Sequence, residues 1–128
     1  MAKPKHEFST YEEFLPYYIA MHSRAATRWL HLGGTISGLA VALAGVTRGR
    51  WSRLAAFPLL GYGTAWPSHW FIERNNPATF GYPLWSLRGD FHMIKTMLGG
   101  NDSELAETAA KWLAEHPEDR SPGSITTA

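Results

Sequence analysis

The sequence predicts a small, all-α, membrane-embedded protein built around a helical hairpin of two spans with flanking amphipathic helices. The chain has 128 residues, which suits a single domain. Its apolar residues concentrate between Trp29 and Leu98, whereas both ends are polar. That region contains two apolar segments of nearly the length that crosses a bilayer. We expect a flexible N-terminus at 1–8, a membrane helical domain at 9–100, an amphipathic C-terminal helix at 101–116 and a disordered tail at 117–128.

Composition excludes several classes of function. The formal net charge is only +1 and no basic run of the kind that follows phosphates is present, so we expect no nucleic-acid partner. The chain contains no cysteine, which excludes disulfides, thiolate metal sites and cysteine nucleophiles. The N-terminus is polar and has no pattern of a cleavable signal peptide, so we expect membrane insertion to use internal segments.

The first helix is predicted to begin where two overlapping capping boxes pair Ser9 and Thr10 with Glu12 and Glu13. Aromatic and apolar side chains then recur at helical spacing. This pattern favours a helix that lies on a membrane surface or against other helices. Pro16 either kinks this helix or marks its true start.

The first predicted span is Trp29–Val46, which carries no formal charge and is near the short end of the length needed to cross a bilayer. Small residues lie on nearly one face of this segment: Gly34, Gly38, Ala42 and Gly45. Such a face is typical of membrane helices that pack closely.

The second predicted span is Leu54–Ile72, joined to the first by a short basic turn at 47–50. Pro58 and Pro67 are expected to kink it. Four residues spaced four apart share one of its faces: Gly61, Ala65, His69 and Glu73. The two segments therefore predict a hairpin of closely packed helices.

Two further helices follow a loop rich in asparagine and proline. Leu84–Leu98 is predicted to bury an apolar stripe and to end at the glycine pair 99–100. That stripe consists of Leu84, Leu87, Phe91, Ile94 and Leu98. Ser103–Glu115 is predicted to be an amphipathic helix with four inward residues, Leu105, Ala109, Trp112 and Leu113.

A soluble helical bundle is the alternative to the membrane-embedded fold. The mean hydropathy of −0.23 is low for a membrane protein, and a buried hairpin would give a similar pattern. The membrane is favoured because the chain lacks other helices able to cover two spans that are apolar nearly all round. Basic residues are more numerous on the side of the termini than in the hairpin turn, which predicts cytoplasmic termini.

Three of the six histidines lie where polar residues are costly. His31 is near the start of the first span and His69 near the end of the second, so an antiparallel hairpin brings them to one end. His22 precedes the same end, and Glu73 follows His69 by one helical turn. Imidazole and carboxylate groups are common ligands of non-haem iron and of zinc. A shared site requires a helix break near Ser23, since His22 and His31 are nine residues apart.

The remaining polar residues divide into candidate site residues and residues expected to lie outside the site. Asp90 could add a carboxylate or orient an imidazole from outside the ligand set. His6 and His116 are expected to be solvated, and His92 lies off the apolar stripe of its helix. Any one histidine alone is more often a packing residue than a ligand, so the prediction depends on three occurring together.

The chain resembles a membrane-protein family, long described as a domain of unknown function, that includes a yeast endoplasmic-reticulum 2-hydroxy-fatty-acid dioxygenase. The matching motifs are F-x-P-Y-Y-x-x-x-H-S (14–23), T-R-x-L-H-x-x-G-T (27–35), G-Y-x-x-A-W-x-x-H (61–69), F-x-E-x-N-x-P-A-T-F (71–80) and Y-P-L-W-S-L-x-G-D-F (82–91). The chain is similar to the short, bacterial type of member, so the resemblance implies a location in a bacterial inner membrane. The last two motifs are long and therefore specific.

The resemblance implies an Fe(II)-dependent dioxygenase that shortens a 2-hydroxy fatty acid by one carbon. Carried over by position, the expected iron ligands are His22, His31 and His69. Glu73 and Asp90 are the expected catalytic residues. Arg28, Arg74 and Asn75 are expected to bind the substrate, the arginines through its carboxylate. The expected partners are a lipid or fatty-acid substrate and the membrane. A homo-oligomer is also compatible with the sequence.

Two other functions are compatible with the same residues. A non-catalytic membrane scaffold would use the closely packed hairpin for assembly. A haem or electron-transfer module would use His31 and His69 as axial ligands.

Overall fold

The computed structural model describes residues 6–124 and confirms the all-α class, since these residues form five α-helices and no strand. The helices are α1 (Tyr11–Ala20), α2 (Ala25–Thr47), α3 (Ala56–Ser68), α4 (Pro83–Leu98) and α5 (Asp102–Glu115). Shorter turns complete the chain: 3₁₀ turns at Trp51–Ala55, Ala78–Phe80 and Pro117–Asp119, and a π turn at His69–Glu73.

Helix α1 is the centre of the core rather than a surface helix. Thr10 caps it by accepting a hydrogen bond from the backbone N–H of Glu13 at 3.2 Å. The Glu13 carboxylate in turn accepts at 3.0 Å from the backbone N–H of Ser9, one residue before the cap, so the predicted capping box is present at Thr10 in a shifted form. The helix lies between α4 and α5 and buries aromatic side chains such as Phe14 and Tyr18. Its aromatic stripe therefore faces other helices.

Helices α2 and α3 form an antiparallel pair that depends on the predicted small residues. A Cβ atom added at Gly34 would lie 2.8 Å from the Leu60 carbonyl oxygen, and one at Gly38 would lie 2.9 Å from the backbone of Phe57. At Gly45 it would meet the side chain of Arg53. Because only hydrogen fits at these positions, the helix backbones approach closely.

Of the residues described, only α2 is long and apolar enough to be a candidate membrane span. Its 23 residues extend about 34 Å, against a hydrocarbon core of about 30 Å. One such helix is weak support, because the core helix of a soluble protein has the same properties. The 13 residues of α3 extend only about 20 Å. The arrangement with two spans therefore stays a prediction.

The predicted inner face of α4 is confirmed only at Ile94, which is buried. Leu84 is 79% exposed and Leu98 is 66% exposed, and the rest of the buried face carries Ser86, Gly89, Met93 and Met97. The reason is steric, since a Cβ atom at Gly89 would lie 3.0 Å from the ring of Tyr18. Small and flexible side chains let α1 approach closely, and the larger leucines consequently face outward.

Both ends of the described chain contact the helical core. The Phe8 backbone N–H donates to the Tyr82 hydroxyl at 2.9 Å. Asp119 is buried, and Gly123 packs against Glu73. The flexible N-terminus at 1–8 and the disordered tail at 117–128 stay predictions. Residues 1–5 and 125–128 lie outside the described part of the chain.

Candidate metal centre and adjoining cavity

Three imidazoles converge at one end of the α2–α3 pair. His22 lies in the break between α1 and α2, His31 lies in the second turn of α2, and His69 begins the π turn after α3. The Nε2 atom of His22 is 3.0 Å from that of His31 and 3.1 Å from that of His69. All three residues are buried. The predicted break near Ser23 exists, and it allows His22 and His31 to face each other.

Hydrogen bonds at the far side of each ring fix the tautomers. The Nδ1 atom of His22 lies 2.7 Å from the Tyr18 carbonyl oxygen, and that of His31 lies 3.2 Å from the Thr27 carbonyl oxygen. The Nδ1 atom of His69 lies 2.7 Å from Oδ1 of Asn75. Since carbonyl oxygens only accept, each Nδ1 carries the proton and donates. Each neutral ring therefore directs an Nε2 lone pair toward the other two.

This donor set fits a metal ion. The Nε2 atom of His22 lies about 3 Å from those of His31 and His69, and the three ligand atoms all lie within 4.8 Å of one another. Their lone pairs repel one another unless a cation lies between them. Metal–imidazole bonds of about 2.1 Å at right angles would place neighbouring nitrogens about 3.0 Å apart. Imidazole suits iron, zinc, copper and nickel, so the residues alone do not select among these ions. Among the residues described, these three histidines form one of two groups with ligand atoms close enough to share an ion.

Electrostatics keep the centre ready for a cation. Burial lowers the pKa of His22 well below its usual value, and the neighbouring His31 and His69 lower it further. The His22 ring is therefore neutral at physiological pH. A cation could therefore bind without first displacing a proton from this ring.

Glu73, predicted to be catalytic, does not join the imidazoles. Its carboxylate accepts hydrogen bonds from the Ser23 hydroxyl at 2.6 Å and from the backbone N–H of Arg24. The side chain thus stabilises the N-terminus of α2, where a negative charge is favourable. The π turn is the physical reason, because it breaks the α-helical phase that would have put His69 and Glu73 on one face.

Arg28 also lies away from the proposed substrate. Its guanidinium is buried, donates to both carboxylate oxygens of Asp102 at 2.7 and 2.9 Å, and donates to the carbonyls of His22 and Ser23 at 2.9 Å. These contacts hold the α1–α2 break in place. Asp102 correspondingly has a lowered pKa, because Arg28 donates to its ionised form.

The other two expected substrate residues have different positions. Asn75 lies behind the centre, where it accepts from His69 and donates from Nδ2 to the Met21 carbonyl at 3.0 Å. Arg74 is exposed, has a left-handed backbone with φ of 57°, and ends the π turn. Neither residue lines the cavity beside the imidazoles.

A cavity of about 90 Å³ adjoins the three histidines. Besides the histidines, its polar lining includes Asp90 and Thr35. Its apolar lining comes largely from α3 and α4 and includes Phe57, Pro58, Ala65, Trp66, Leu87 and Phe91. A small pocket with a few polar groups among apolar walls suits a ligand with a polar head and an apolar tail.

Asp90 is the one predicted catalytic residue that reaches this cavity. It accepts a hydrogen bond from the Tyr18 hydroxyl, and the Tyr18 ring lies 4.4 Å from that of His22. Burial raises the Asp90 pKa to about 7, against the lowering effect of the Tyr18 hydrogen bond. The carboxyl can therefore exchange a proton near neutral pH.

Sequence reasoning missed Tyr18 and Trp66. The position of Tyr18, one turn before His22, was available as a signal but was assigned to the apolar stripe. Trp66 was noted only as part of a motif. Its buried Nε1–H has no acceptor among the described residues, and its ring lines the cavity.

A second histidine group corrects the expectation that His6 and His116 are solvated. Nε2 of His6 lies 2.7 Å from Oδ2 of Asp119, which also accepts from Trp112 at 2.8 Å. The His116 ring stacks on Trp112 with centroids 3.7 Å apart. These contacts join the two ends of the described chain.

Comparison with known proteins confirms the resemblance inferred from the motifs. Residues 8–101 match the profile of the family described as 2-hydroxy-palmitic acid dioxygenase Mpo1-like. The match covers more than half of the chain, so the chain belongs to this family. No curated protein and no solved structure matches it.

Proposed function

We propose, from the premise that the chain belongs to the Mpo1-like family, that it is a membrane-embedded Fe(II)-dependent dioxygenase acting on 2-hydroxy fatty acids. The observation that carries the proposal is the convergence of three proton-free Nε2 atoms beside a largely apolar cavity. His22, His31 and His69 would hold the ion, and the adjoining cavity would hold the substrate.

The overall reaction balances as R–CH(OH)–COOH + O2 giving R–COOH, CO2 and H2O. The bond between C1 and C2 breaks, C2 becomes the new carboxyl carbon, and C1 leaves as CO2. The chemistry that iron supplies when bound is reduction of O2 and polarisation of the substrate hydroxyl and carboxylate.

The protein's own residues would position the substrate and move its proton. The Asp90 carboxylate would accept the proton of the 2-hydroxyl, and the Tyr18 hydroxyl would hold that carboxylate in place. The unpaired Nε1–H of Trp66 would donate to a carboxylate oxygen. This assignment replaces Arg28 and Arg74, neither of which lines the cavity. The apolar walls would exclude water from the reacting carbon.

The outer surface supports a membrane location. Large apolar side chains are exposed on three helices, including Leu43 at 65%, Leu59 at 71% and Leu84 at 79%. Trp29 and Trp51 are also exposed, and indoles favour the headgroup level. Large apolar side chains exposed in this number are typical of a lipid or partner contact. A lipid-facing surface would give a fatty acid direct access to the cavity between α3 and α4.

The haem alternative is disfavoured by the same geometry. Axial imidazoles would have to lie on opposite sides of a porphyrin plane. Nε2 of His22 lies within 3.1 Å of both His31 and His69, in the space that this plane would need. A scaffold function offers no reason for three buried lone pairs to meet.

Metal content of detergent-purified, untagged, anaerobic protein tests the proposal. We expect one iron per chain after loading with Fe(II), and loss of that iron in His69→Ala. His92→Ala is the matched control, because His92 is exposed and lies outside the cavity. Consumption of O2 with a 2-hydroxy fatty acid should follow the iron content. Equal iron in wild type and His69→Ala, or none in either, would reject the metal centre.

A further inference from the structure

A groove runs along the outer face of α3 beside the cavity. Its volume is about 450 Å³, against about 90 Å³ for the cavity. The groove and the cavity share the side chains of Pro58, Tyr62 and Trp66 as walls. The other groove residues are Leu59, Gly63, Pro67 and Trp70. The groove is thus separated from the candidate site only by these shared side chains, and no charged residue lines it.

The size of the cavity limits what it can hold. One water-sized group needs on the order of 10–15 Å³ of such space. The cavity of about 90 Å³ therefore holds the carboxylate, the hydroxyl and the first carbons of a 2-hydroxy acid, but not a long acyl chain. The remaining carbons have to leave the cavity through one of its walls.

The shared wall offers an apolar path for those carbons. The rings of Tyr62 and Trp66 stack with centroids 5.0 Å apart, and Trp70 continues the row at 6.1 Å from Trp66. Gly63 lies on the groove, and a Cβ atom added there would meet nothing within 4 Å. From Pro58 to Trp70 the helix rises roughly 18 Å.

We propose that the acyl tail of the substrate leaves the cavity past Tyr62 and Trp66 and lies in the α3 groove. The inference rests on the proposed function and additionally specifies where the acyl tail of the substrate binds. The occupant is an apolar chain attached to the head in the cavity, because the groove shares three side chains with the cavity and lacks charge. The enzyme would accordingly prefer long acids over short ones by contacts made outside the cavity.

Glycine substitutions separate the groove from the cavity. Gly63→Phe would fill the groove, whereas Gly61→Leu would fill the cavity, since neither glycine has an atom within 4 Å of its added Cβ. Gly33→Phe is the matched control, because Gly33 is also open and lies on α2 outside both spaces. Titration calorimetry would measure binding of 2-hydroxybutanoate and 2-hydroxyhexadecanoate to iron-loaded protein without O2. Iron content and helix content would verify that each variant is folded and loaded.

In wild type and Gly33→Phe we expect tighter binding of the long acid than of the short one. Gly63→Phe should reduce this preference by at least about tenfold, or about 1.4 kcal/mol, while the short acid binds as before. Gly61→Leu should weaken both acids. Partition of the long acid into micelles cancels, because every variant is measured in the same detergent.

Three results would overturn the inference, and they are distinguishable. An unchanged preference in Gly63→Phe rejects the groove while leaving the proposed function intact. An unchanged preference together with a lower molecular mass by analytical ultracentrifugation assigns the groove to a second copy of the chain. Failure of both acids to bind wild type rejects the proposed function, and with it the place of the tail.

Discussion

Asn75 offers a specific test of how the centre is held together, because it touches His69 without touching the cavity. Its Oδ1 accepts from Nδ1 of His69 at 2.7 Å, and its Nδ2 donates to the Met21 carbonyl at 3.0 Å. These two bonds tie the π turn to the end of α1 and fix the tautomer that presents Nε2. Asn75→Leu removes both bonds at similar side-chain volume.

Loss of a partner behind a metal-bound imidazole typically weakens metal affinity about 10–100-fold. At about 1.4 kcal/mol for each factor of ten, the expected loss is about 1.4–2.8 kcal/mol. Asn75→Asp is the matched control, because it keeps an acceptor for His69 and loses only the donor to Met21. Its affinity should stay much closer to that of wild type.

Anaerobic titration with Fe(II) against a competing chelator measures this affinity, and circular dichroism verifies the fold. We expect Asn75→Leu to bind iron more weakly than both wild type and Asn75→Asp. Equal affinities in all three proteins would refute the idea that the bond to His69 orients the ligand. Equal losses in both variants would attribute the effect to the contact with Met21 instead.

Two further predictions concern stability. Gly38→Leu should lower the thermal midpoint of unfolding in detergent, because overpacking against the Phe57 backbone costs about 1–3 kcal/mol. Gly33→Leu is the control and should leave the midpoint nearly unchanged, because a Cβ atom at Gly33 meets nothing within 4 Å. Equal midpoints in the two variants would contradict the close helix contact. In metal-free protein the buried His22 has a lowered pKa, so its contribution to stability rises with pH up to the ordinary histidine range. Asp90 acts in the opposite direction: burial raises its pKa from 3.8 to about 7, the folded state keeps a proton that the unfolded state releases, and this carboxyl alone contributes a loss of stability between about pH 4 and about pH 7. Asp90→Asn should lessen this loss by at most about 1.4 kcal/mol per pH unit, and identical pH profiles would contradict the buried carboxyl.

The helices could be predicted from the sequence because their signals are local. The capping box at Thr10 begins α1, and the glycine pair 99–100 ends α4. The small residues of α2 predicted the close pairing with α3, since only a face without side chains allows such an approach. The convergence of His22, His31 and His69 followed from antiparallel pairing and one helix break.

The roles of the charged residues could not be predicted, because they depend on partners distant in sequence. Arg28 binds Asp102, the first residue of α5. The buried charge of Arg28 requires this partner. The position of Glu73 depends on the π turn at His69–Glu73, which the periodicity of the sequence does not predict. The outward face of α4 likewise followed from contact between Gly89 and Tyr18 rather than from hydrophobicity.

X-ray absorption spectroscopy of the anaerobic iron-loaded protein tests the central claim most directly, because outer-shell scattering counts imidazole ligands. The proposed centre predicts one iron environment with three imidazoles in wild type and two in His31→Gln, with His92→Gln unchanged. An iron environment with no imidazole scattering, or one that is the same in wild type and His31→Gln, would contradict a metal centre formed by His22, His31 and His69.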